Sequence, residues 1–334
     1  DLSNISKLES LYRAIAYDHG RIAGKRYVWP GGKYRLIDIG KKGGICMDQA
    51  YFVAHAGKAK GIPTVLFTGQ GRSGDHAWVG YLTGRGRWTL DAAKWRGENY
   101  PTGHAFDPQT WDTFTDAQME YAIKSQGDSP SVARGRLILG WAALNDDQAS
   151  YPALLGAAAA AMPRSFEPWL LRAEWLAENE EDQKVHRAFW ERWISNFSGE
   201  RDMKARGQRA LLKVLRQLGD ESAAERLGKQ IIAENKSKRF DLGIAVAADD
   251  VFALCDSGEW PEAEKQYDRL LTRFKRDAGG HLFYNLVQPY VRRCLSAGRA
   301  EQARAGVGGA AEVLKPAPQS ILANDFAKLR EETE

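Results

Sequence analysis

The chain has 334 residues, 43% of them hydrophobic and 27% charged, with 11 Trp, 12 Tyr and 12 Phe; this excludes a disordered or collagen-like chain and suits roughly two folded domains. The net charge of +4, from 47 basic and 43 acidic residues, lacks the concentrated basic face of a nucleic-acid binder. Its longest strongly apolar stretch, Leu154–Met162, falls far short of the ~20 residues that span a membrane, and three cysteines do not complete a disulfide framework. The chain opens at Asp1 with no basic, apolar signal segment before it. A removed leader and a start inside a longer chain both fit, so the compartment stays open, with an extracytoplasmic one (secreted or periplasmic) preferred to the cytoplasm.

Up to about residue 130 the chain is dense in glycine. Gly43-Gly44 precedes Cys46, which opens an apolar, helix-compatible run through Ala50–Ala59. A cysteine at a helix N-terminus faces the positive end of the helix dipole, which favours the nucleophilic thiolate. The two glycines are expected to admit a substrate backbone and to leave the Cys46 N–H facing an oxyanion. Cys46 on its own would read as a buried structural thiol.

Three β-rich runs follow: Thr64–Thr68, His76–Leu82 and Arg87–Ala92. The glycine-rich Gly69–Gly74 lacks a phosphate-loop ending and reads as a loop before the second run. Thr83-Gly84-Arg85-Gly86 is a hairpin signal. If Thr83 pairs with Gly86, Trp78 faces Asp91 and His76 faces Ala93. His76 and Asp91 are then diagonal neighbours on one sheet face, about 7–8 Å apart. A turn of different parity would separate them. Asp75 reads as a solvated loop carboxylate, with tuning of the adjacent His76 as the alternative, and His104 and Asp107 as either cleft lining or a packed loop.

The three residues have complementary chemistry. Cys46 attacks a carbonyl carbon, His76 takes the thiol proton and later protonates the leaving group, and Asp91 orients the imidazole, giving acyl transfer through a thioester. Cys46, Gly61-Ile62-Pro63, His76-Ala77-Trp78 and Trp88 through Asp91 together resemble the transglutaminase-like superfamily, whose fold is related to papain-like cysteine proteases. The resemblance covers about residues 35–95 and departs at Thr64-Val65, where the family often has an arginine. It implies a second oxyanion donor upstream of the cysteine. Trp29, Tyr34 and Gln49 are the candidates, with Trp78 and His104 as further cleft candidates. His19, His55, His104, His186 and His281 show no metal-ligand spacing, and a zinc held by Cys46, His76 and Asp91 fits no common pattern, so no metal or cofactor is expected.

Beyond Ser129-Pro130 strand signals give way to helical stretches such as Trp169–Glu178 and Ala223–Glu234. Gly219–Glu225, Gly258–Glu264 and Gly298–Arg304 resemble one another, with Ala224, Ala263 and Ala303 in register at spacings of 39 and 40 residues. Asn145–Ala149 is an earlier member. The period indicates helical hairpins stacked as a solenoid, resembling a loose tetratricopeptide repeat; a non-repetitive bundle is the alternative. The tryptophans at 169, 175, 190 and 193, and Cys255 and Cys294, read as helical core, and the basic runs as solvated faces.

The expected fold is thus an α+β papain/transglutaminase-like domain over residues 1–130, followed by an all-α helical-repeat domain over 131–334. The expected function is a cysteine-dependent amide hydrolase or acyltransferase acting on a peptide-like substrate, with hydrolysis preferred because it needs only water. The alternative is a catalytically inactive binding protein whose repeats hold a protein partner.

Overall fold

The computed structural model of the chain describes residues 8–72, 74–84, 86–95, 97, 100–108, 111–125, 127, 129–145, 147, 149–235, 239–275, 278–318 and 320–334. Ser73 of the glycine-rich loop, Arg85 of the expected hairpin tip, and Asp146 and Gln148 of the earliest expected repeat lie outside the described residues.

Helices α1 (Ser10–Ala14), α2 (His19–Ala23), α3 (Leu36–Lys42) and α4 (Cys46–Ala59) come first. Strands β1 (Thr64–Gln70), β2 (Asp75–Gly84), β3 (Arg87–Ala92), β4 (His104–Phe106) and β5 (Thr113–Thr115) follow. Helices then take over: α5 (Asp116–Ser125), α6 (Pro130–Leu144), α7 (Tyr151–Ala161), α8 (Glu167–Asn179), α9 (Gln183–Asn196), α10 (Arg201–Gln217), α11 (Glu221–Glu234), α12 (Phe240–Asp256), α13 (Trp260–Phe274), α14 (Gly279–Leu282), α15 (Gln288–Ser296), α16 (Ala300–Leu314) and α17 (Ile321–Glu331). A π-helical turn, Phe283–Val287, joins α14 to α15. This is an α+β arrangement followed by helices. Among the described residues no helix is long and apolar enough to cross a membrane.

The strands form one antiparallel sheet in the order β3-β2-β1-β4-β5. Alternation along β2 decides which side chains meet α4. Ala77, Val79 and Tyr81 pack with Cys46, Ala50, Val53 and Ala54 of α4 and with Leu8 and Tyr12. Trp78 points to the other face, beside Phe67, which in turn meets Phe114 edge-on. Trp78 is fully buried, and a Cβ on Gly69 would lie 2.4 Å from its ring, so that strand position admits only glycine.

Compactness divides the chain differently from a single boundary near residue 130. One unit joins the residues up to Asp116 with those from Asn235 onward; the other runs from Ala117 to Glu234. Within the first unit the returning segment is held by close polar contacts. Gly280 N–H donates to Gly71 O at 3.0 Å, Asn285 Nδ2 to Gln70 Oε1 at 2.6 Å, and Asn324 Nδ2 to Ile22 O at 2.8 Å. A Cβ on Gly280 would sit 2.3 Å from Gly71 O, so the start of α14 docks on the glycine-rich loop by lacking side chains. Composition marks where strands stop but carries no sign that later helices return to the sheet.

In the second unit Trp193 is fully buried among Trp169, Phe189 and Phe197, and its Nε1 donates to Met203 O. Trp175 and Trp190 pack against this cluster from partly buried positions. Cys255 and Cys294 are buried in the first unit.

The three sequence repeats fall on helical hairpins with a common turn. Gly219, Gly258 and Gly298 have φ of 75°, 82° and 72°. Each turn closes the preceding helix with the same pair of backbone bonds, as in Gly258 N–H to Cys255 O and Glu259 N–H to Leu254 O. Five residues after each glycine, Ala224, Ala263 and Ala303 are buried, where a small side chain lets paired helices approach. Nothing lies within 4 Å of a Cβ placed on Gly258, so Gly258→Ala isolates the cost of a left-handed backbone, about 1–2 kcal/mol. The thermal midpoint is expected to fall by about 2–4 °C per kcal/mol. An unchanged midpoint would show that the turn does not depend on glycine.

Candidate active site

Cys46 is the first residue of α4, and a buried charge fixes that helix start. Asp48, 3% exposed, accepts the Ile45 N–H at 2.8 Å and the Tyr34 hydroxyl at 2.7 Å, and pairs with the Arg21 guanidinium. Arg21, equally buried, also donates to Arg26 O and Tyr27 O. The glycine pair serves a different purpose from the one expected. A Cβ on Gly43, at φ 77°, would lie 2.4 Å from Ala16 O, and one on Gly44 would lie 2.4 Å from the Asp48 side chain. The glycines admit the chain's own Ala16 and Asp48 rather than a substrate backbone.

Burial opposes the ionisation expected of a thiol at a helix N-terminus. Burial pushes the Cys46 thiol up; N–H groups of Ala77 and Met47 at the sulfur oppose this, while the charges of Asp75 and Asp48 add to it. Desolvation outweighs the local dipoles. The Tyr12 hydroxyl donates to Ala77 O at 2.8 Å and Cys46 O at 3.3 Å, tying α4 to β2 beside the thiol.

His76 is 1% exposed, and its ring stacks on Trp95 at 4.1 Å, with Tyr100 at 5.6 Å. Its Nε2 lies 2.9 Å from Ala93 O. A carbonyl only accepts, so Nε2 carries a proton, which leaves the lone pair on Nδ1 whenever the ring is neutral. Asp91 does not take the expected place. Gly84 pairs with Arg87 where Thr83 with Gly86 was expected, and the register shifts twice: Leu82 meets Trp88 and Tyr81 meets Thr89, but Val79 meets Ala92, so Leu90 and Asp91 together oppose Gly80 in a bulge. Asp91 is exposed and accepts the Thr89 hydroxyl at 2.8 Å. Ala93, at φ 66°, turns its carbonyl onto the imidazole instead.

Cys46 and His76 line one cavity of about 610 Å³, within the range of about 300–1,000 Å³ usual for ligand sites. Ile45, Asp75 and Ala77 border it from the sheet and α4, Tyr27 from the loop that Arg21 holds, and Tyr284, Arg292, Asp325 and Lys328 from the C-terminal helices. The other expected residues lie elsewhere. Trp29 and Tyr34 meet edge to face at 5.4 Å, with Tyr34 engaged by Asp48. Gln49 donates to Ile15 O, and Trp78 Nε1 to Leu90 O. His104 is exposed on β4, between Thr68 and Thr115.

Asp75 is exposed, as expected, but it opens β2 rather than lying in a loop. It reaches solvent through the cavity, but protein crowds it on its other sides; that desolvation, with the Asp325 charge, pushes its carboxyl up to about 7. The adjacency of Asp75 to His76 was its one sequence signal. Tyr284, Asp325 and Lys328 carried none, since their helices show only amphipathic patterning. Among the described residues no group of three or more His, Cys, Asp or Glu side chains is arranged to hold a metal ion. Comparison with known family models, curated proteins and solved structures finds no match for this chain.

Two tests follow from these charges. Asp48→Asn leaves Arg21 buried without a counter-charge and is expected to cost about 3–5 kcal/mol, read from the urea midpoint; a loss below about 1 kcal/mol would contradict the pinning role. Asp75 binds its proton more tightly folded than unfolded, so its contribution to stability falls as pH rises from about 4 to about 7 and is level above that. Asp75→Asn is expected to flatten that part of the profile of melting temperature against pH. An unaltered slope would mean that Asp75 ionises normally.

Proposed function

We propose that the chain is a cysteine-dependent amide hydrolase or acyltransferase acting on a peptide-like substrate through Cys46 and His76. The observation that carries this reading is that the thiol and the imidazole border one cavity, with the imidazole proton fixed on Nε2 by Ala93 O. In this scheme the resting thiol stays protonated. As Sγ attacks the carbonyl carbon, its proton passes to Nδ1 of His76, and the imidazolium returns it to the departing amine. Water then resolves the thioester, and an amine acceptor would make the same step a transfer. In this scheme the Ala93 carbonyl takes the orienting role that a triad gives to a carboxylate.

Binding without turnover is the second reading, favoured by the raised thiol and the outward Asp91. Mass spectrometry after mixing with an activated peptide ester separates the two. Wild type is expected to form a hydroxylamine-sensitive adduct on Cys46, His76→Ala to form it about 10²–10⁴-fold more slowly, and Asp91→Asn to stay within about twofold of wild type. No adduct on Cys46 would favour the binding reading; a His76-sized loss in Asp91→Asn would restore the carboxylate to the mechanism.

A further inference from the structure

The cavity beside Cys46 carries charges that the fold leaves unpaired. Among the described residues no lysine or arginine forms an ion pair with Asp75 or Asp325, and no carboxylate pairs with Lys328. Asp325 accepts the Tyr284 hydroxyl at 2.6 Å, and Lys328 is poised 4.1 Å over the Tyr27 ring. Both are half-buried and three residues apart on α17, hence neighbours along one helix face. The other two charges of the lining, Arg292 and Glu332, satisfy each other at 3.0 and 3.1 Å.

Two carboxylates lining one cavity without a counter-ion repel, and the Asp325 charge adds to the desolvation that raises the Asp75 carboxyl. An ammonium group between them would remove it. An anion near Lys328 would complete a charge that now rests only against an aromatic face. Tyr284 enters from the π-helical turn, an irregularity that sets this side chain and Gln288 against the cavity.

We propose that this wall binds a dipolar α-amino acid head, its ammonium at Asp75 and Asp325 and its carboxylate at Lys328. As a substrate class it rests on the reading of Cys46 and His76 as the reacting pair, since the head would seat an amide of the same molecule before the thiol. The C-terminal helices thereby set specificity, and the helix and strand of the thiol and imidazole supply the chemistry.

Calorimetry with three probes tests the recognition without any turnover: alanine, N-acetylalanine, which lacks the ammonium, and alaninamide, which lacks the carboxylate. Alanine is expected to bind the wild-type chain at least about tenfold more tightly than either analogue, as one lost charge-assisted contact implies. Lys328→Met is expected to erase its advantage over alaninamide, and Asp325→Asn its advantage over N-acetylalanine. Equal affinities for the three probes, or no binding, would overturn the proposal, and the wild-type comparison decides this even if a variant fails to fold. Binding with the expected pattern alongside an inert Cys46 would sink the enzyme reading and leave the recognition site standing.

Discussion

The candidate site depends on one buried ion pair, Arg21 with Asp48. Two charges removed from water are tolerable only when their remaining hydrogen-bonding capacity is met. Here it is met in a way that organises the site. Asp48 holds the Ile45 N–H at the start of the Cys46 helix, and Arg21 holds Tyr27 O in the loop that borders the cavity. The same pair explains the glycines before Cys46, since any side chain on Gly44 would displace Asp48. The residues flanking the cysteine therefore serve first to fix its position.

That constraint also shapes the chemistry. A thiol packed among Tyr12, Ala50 and Ala77 gains a defined place at the expense of ionisation. Such a sulfur suits a mechanism in which the proton leaves during attack, and such a mechanism needs a neutral imidazole with a fixed tautomer. The bulge opposite Gly80 and the left-handed Ala93 supply one through a backbone carbonyl, without any side chain at that position.

Much of this was legible in the sequence where the signal is local. His76–Leu82 was legible as a strand and Cys46 as the head of a helix, and the recurrent glycine turns marked the helical hairpins. Legibility stopped where backbone irregularity or long-range return intervened. Nothing in Trp88–Asp91 announces a bulge and nothing in Thr83–Gly86 announces that Gly84 pairs with Arg87, so an unbroken ladder from Thr83 and Gly86 put Asp91 beside His76. Nothing in Asp325 or Lys328 distinguishes them from solvated helix residues until α17 is seen against the cavity. The lack of a cationic partner for Asp75 is equally invisible, because pairing is a property of the assembled wall.

The most direct measurement is the tautomer of His76, read from the nitrogen-15 shifts of its imidazole in wild type and in Asp91→Asn. A neutral ring protonated on Nε2 in both proteins is the expected result, since Ala93 O holds that proton and Asp91 faces away. A ring protonated on Nδ1, or one whose tautomer changes in Asp91→Asn, would contradict the backbone-oriented imidazole on which the proposed chemistry stands.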